Sequence, residues 1–66
     1  MTNSQLIAAR TNELAVSLGI EGQQHGMTTA QKLADMAIRF GRLSSKAAQD
    51  AAAKCLQMKA MAERLA

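Results

Sequence analysis

Lys32, Asp35, Arg39 and Arg42 follow one another at intervals of three, four and three residues, the spacing that aligns side chains on one face of a helix. Three positive charges and one negative make a ridge suited to an acidic surface or to phosphates. Ile38 lies among them, and an apolar residue on a polar face points to a contact surface. Lys32, Arg39, Arg42 and Ile38 are therefore the expected partner-binding residues, with an acidic protein as the partner. The same ridge also suits a plain solvated helix face, on which an Asp35–Arg39 pair at i, i+4 contributes a few tenths of a kcal/mol.

Groups able to do covalent or acid–base chemistry are scarce. Cys55 is the only cysteine and His25 the only histidine, which excludes an internal disulfide and an ordinary zinc site built from one chain. His25 stands between Gln24 and Gly26 without a carboxylate or nucleophile at short range. No basic cluster accompanies Cys55 to lower its thiol pKa. The chain reads as non-enzymatic, with no catalytic residue, metal ligand or cofactor.

A second pattern concerns packing. Ala48, Ala51, Cys55, Met58, Ala62 and Leu65 are spaced 3-4-3-4-3, an a/d seam down one face of a helix whose contact residues are mostly small. At a rise of ~1.5 Å per residue a helix over 45–65 is about 31 Å long, whereas one over 29–40 is about 18 Å. The shorter helix cannot cover the longer one. A homodimer with antiparallel third helices would bury both overhangs, and closed dimers are the commonest oligomers. The six seam residues are thus the expected dimer interface. Met36 and Met58 are expected to fill core gaps that aromatic residues would otherwise occupy, since Phe40 is the sole aromatic.

The segment Ala37-Ile38-Arg39-Phe40-Gly41 resembles the A-x-x-x-G turn of helix-turn-helix DNA-binding proteins, in which the alanine lets two helices approach and the glycine makes the turn before a recognition helix. Those motifs place one apolar residue and then a capping serine or threonine after the glycine; here Arg42 and Leu43 precede Ser44. The resemblance implies an alternative function, a DNA-binding regulator over residues 31–54 with Arg42, Lys46, Gln49 and Lys54 facing the duplex. The helix that would read bases is alanine-rich, and these residues include no asparagine and only one arginine, in the turn.

The elements that must position these residues are three helices. Thr2 with Gln5, and Thr28 with Gln31, have capping-box spacing and start helices over 3–18 and 29–40. Gly19 and Gly22 end the first, and residues 19–26 form a loop. Gly41 is expected to end the second in a left-handed conformation. Ser44 or Ser45 caps a third over 45–65, with Leu43 and Ala48 as a hydrophobic staple if Ser44 is the cap. No segment alternates as a strand would. The expected fold is all-α, a small three-helix protein with a long C-terminal helix, forming a single domain over 1–66 and a helical homodimer.

Sixty-six residues bury only about 60% of the surface of the unfolded chain, so regular helix packing or oligomerisation must supply stability. Net charge is +3, with −1 in residues 1–30 and +4 in residues 31–66, which directs an acidic partner to the second half. No apolar run approaches the ~20 residues of a membrane span, and without a charged-then-apolar stretch at residues 1–20 secretion is not expected. The expectation is a soluble, cytoplasmic protein acting as a small regulator or inhibitor of a larger one.

Overall fold

Thr2 and Thr28 each begin a helix by the same exchange. The Gln5 backbone N–H donates to Thr2 Oγ1 at 3.1 Å while the Thr2 N–H donates to Gln5 Oε1 at 2.9 Å. Thr28 and Gln31 repeat the pair at 3.2 and 2.9 Å. Each box satisfies two backbone groups that a helix start leaves without intrahelical partners. The computed structural model describes residues 2–65, which form α1 (Asn3–Leu18), α2 (Thr29–Gly41) and α3 (Lys46–Leu65). A single 3-10 turn (Glu21–Gln23) lies between α1 and α2, and there is no strand among the described residues.

α1 ends as a Schellman motif. Gly19 takes φ +70°, its N–H donates to Val16 O, and the Ile20 N–H donates to Ala15 O at 3.0 Å. Reversing the chain here turns Ile20 back into the core, where it is buried.

The end of α2 departs from expectation. Gly41 remains helical and the capping residue is Arg42 at φ −79°, ψ −17°; the left-handed glycines are Gly19 and Gly26. A left-handed residue normally serves to satisfy the last carbonyls of a helix. Here the amide of Gln49, reaching back from α3, donates to Gly41 O at 3.2 Å and Leu43 O at 2.6 Å. Ser45, not Ser44, caps α3, accepting from the Ala48 N–H at 3.1 Å. With the cap one residue later, Leu43 and Ala48 no longer occupy staple positions, and Leu43 is exposed.

α2 and α3 form an antiparallel hairpin and share the most extensive interface in the molecule. Ala37 is buried in the core with Leu33, Met36 and Cys55, whereas Gly41, further along α2, is exposed with nothing close to its missing Cβ. α1 lies across the hairpin, parallel to α2 and antiparallel to α3: Ser4 and Ile7 lie near Thr28, Thr29 and Ala62, and Ser17 near Ala47. The core holds Ile7, Ala15, Ile20, Leu33, Met36, Ala37 and Cys55, with Leu14, Leu18, Phe40, Met58 and Ala62 packed against it. Thr11, a polar residue inside the apolar stripe of α1, is buried with its hydroxyl donating to Ile7 O at 2.7 Å. That bond removes the cost of burying the hydroxyl.

Candidate functional site

The charged ridge of α2 is occupied in large part by the chain itself. The loop from Gly19 to Gly26 returns along this flank, and Gln24 inserts against it, 2% exposed. Its amide donates to Lys32 O at 3.2 Å and to Asp35 Oδ2 at 3.0 Å. Arg39 Nε donates to the same carboxylate oxygen at 3.0 Å, and the Arg39 guanidinium also reaches Gln23 Oε1 at 3.1 Å. The Gln24 hydrogen bond holds the Asp35 carboxyl below the usual carboxylate range against the opposing effect of burial, with further help from Arg39 and Arg42. Lys32 is half-buried and reaches Asn12 on α1. Lys32 and Arg39, expected to meet a partner, thus tie the loop and α1 to α2, and only Arg42 and Ile38 stand clear. Residue spacing identified the shared face but carried no information about the loop that covers it.

The third-helix seam is divided in a similar way. Ala48 and Cys55 are buried by the chain's own helices, Ala51, Met58 and Ala62 are half-buried, and Leu65 is exposed. Cys55 therefore needs no second subunit to cover it, and burial raises its thiol pKa. Ala48 and Cys55 face inward, Cys55 within the core cluster, and neither is exposed to a second copy.

Of the residues assigned to DNA, Arg42, Lys46 and Gln49 lie at the α2–α3 turn and Lys54 lies apart from them. A helix-turn-helix crosses its helices at about 90–120°, whereas α2 and α3 run side by side from the turn to Ala30 and Ala62. The Gln49 amide is engaged by the turn carbonyls. Lys54 is five residues further along α3, about 140° around the helix, and lines a different flank.

Two open surfaces remain. On the hairpin, outside the α1–α3 groove, Ile38 is 56%, Leu43 50% and Leu56 55% exposed, with Arg42 and Lys46 exposed beside the turn. Between α1 and α3 runs a groove of about 640 Å³. Its walls are Arg10, Glu13, Leu14 and Ser17 from α1, and Ala47, Asp50, Ala51, Lys54 and Met58 from α3. Beyond it, Leu6, Met61 and Leu65 are exposed, and Asn3, Met61, Arg64 and Leu65 line a smaller hollow of about 150 Å³. The α1 contribution was not anticipated; the 4-3-4 spacing of Leu6, Arg10, Glu13 and Ser17 was the signal for it.

Among the described residues no three His, Cys, Asp or Glu side chains gather as a metal site, and no helix is long and apolar enough to cross a membrane. No family model, curated protein or solved structure matches the chain.

Proposed function

We propose that this chain is a non-enzymatic protein-interaction module, a small regulator or inhibitor that docks on an acidic, partly apolar surface of a larger protein. The observation that carries this reading is the outer face of the α2–α3 hairpin. Three large apolar side chains, Ile38, Leu43 and Leu56, stand half or more exposed there, accompanied by the basic Arg42 and Lys46. Exposed large apolar residues accompanied by charge of one sign favour a partner with the opposite charge and an apolar centre.

The test compares the wild-type chain with Ile38→Asp combined with Leu56→Asp, and separately with Arg42→Glu, as baits in quantitative affinity capture from extract. All three positions are exposed, so folding should survive with little change in stability. The expected result is a protein captured by the wild type and lost with both variants. If the two variants and the wild type capture the same set while circular dichroism is unchanged, the assignment of this face fails.

A further inference from the structure

We propose that a second copy of this chain seats on the α1–α3 groove, related to the first by a two-fold axis that lies in the interface and crosses the helices at right angles. The groove lies outside the hairpin face discussed above, and the inference stands independently of it.

The groove has an apolar floor, formed by Leu14, Ala51 and Met58, between two charged walls. Arg10 and Glu13 stand on α1, Asp50 and Lys54 on α3. Glu13 follows Arg10 in its helix while Asp50 precedes Lys54, and the two helices run antiparallel. Both carboxylates therefore lie toward the end of the groove nearest the α2–α3 turn, and both cations lie toward the other end. All four side chains are exposed, and none takes part in an ion pair among the described residues, although i, i+3 and i, i+4 spacing would allow pairing within each helix.

A strip that is acidic at one end and basic at the other is complementary to itself in only one of the two symmetric ways of stacking it face to face. A two-fold axis parallel to the helices keeps each level opposite the same level, setting Asp50 over the partner copy's Glu13 and cation over cation. An axis crossing the helices reverses the strip. α3 then lies antiparallel on the second α3, and α1 on the second α1. Asp50 faces the other copy's Lys54, and Arg10 faces its Glu13, each pair occurring twice as two-fold symmetry requires. The two α1–α3 layers together make a four-helix arrangement around the apolar floor, and the exposed Leu6, Met61 and Leu65 extend that floor along the same side. Charge order thus selects both the occupant and its orientation.

The test uses charge exchange read by sedimentation velocity at low salt, where such pairs are least screened. Asp50→Lys makes the α3 wall wholly basic, and Lys54→Asp makes it wholly acidic. Each variant alone should dimerise about tenfold or more weakly than wild type, since like charges then face one another across the axis. An equimolar mixture should form a heterodimer of near wild-type strength, because the basic wall of one chain meets the acidic wall of the other. Arg10→Glu and Glu13→Arg repeat the experiment on α1, so that a folding defect at either α3 position leaves the test intact. A wild-type chain that stays monomeric at about 100 µM, a concentration at which even a weak specific dimer forms, overturns the proposal. So does tighter association of Asp50→Lys, the signature of the parallel axis, or a mixture no more associated than its components.

Discussion

Gln24 fastens the loop to α2. It is buried, it bonds to both the backbone and a side chain of α2, and it is the largest cause of the lowered Asp35 pKa. A carboxylate whose folded pKa lies below its unfolded value contributes stability that is present above the unfolded value and lost as pH falls through the folded one. For Asp35 that window runs downward from about pH 4. Asp35→Asn should therefore lower the thermal midpoint at neutral pH and flatten its decline on acidification, a comparison made by melting both proteins between pH 7 and about pH 2. If the acid slopes coincide, the carboxylate is not what the loop is fastened to. Cys55 has the reverse linkage. Burial raises its pKa, so its contribution is present below the unfolded thiol value and lost as pH rises through the folded one, in the range above about pH 8.5. The same burial, at 0% exposure, predicts that a thiol reagent modifies Cys55 only at the rate of unfolding; prompt reaction in native buffer would show that α3 does not lie as described.

At the scale of elements, the two glycines at helix ends make opposite predictions. Gly19 sits at φ +70°, where a Cβ strains the backbone, and Gly19→Ala should cost about 1 kcal/mol. Gly41 is helical, exposed and open around its missing Cβ. Gly41→Ala should add about 0.5–1 kcal/mol, raising the melting temperature by several degrees. A fall for Gly41→Ala would mean that the turn is left-handed after all. This pair also marks where sequence reading stops. Thr2 with Gln5 and Thr28 with Gln31 were legible because a capping box closes within four residues. Gly41 was not, because glycine permits a left-handed turn without demanding one, and the deciding contact comes from Gln49, eight residues away. The ridge and the seam meet the same boundary: each is one face by spacing, and the fold buries part of it and leaves part exposed. Spacing shows which residues share a face, but Gln24 over Asp35, and α2 over Cys55, are long-range choices that no local period records.

For the molecule as a whole, the three helices are unequally held. α2 and α3 share the most extensive interface, whereas α1 meets α3 more thinly and leaves the groove between them open. Local opening follows contact density, so segments with fewer buried contacts exchange their amides at lower free energy than the core. Hydrogen exchange on the native protein should show α1 amides exchanging ahead of those of α2 and of α3 around Cys55. A second copy in the groove clamps α1 to α3 in both chains, and binding to the closed form alone stabilises it in proportion to occupancy. Protection in α1 should therefore rise with protein concentration, while that of the hairpin core changes less. Asp50→Lys, which puts like charges across the two-fold axis, should abolish the concentration dependence and leave the order of exchange as it was. Uniform protection across all three helices would show instead that α1 is as tightly bound as the hairpin, and that the groove needs no second chain to close it.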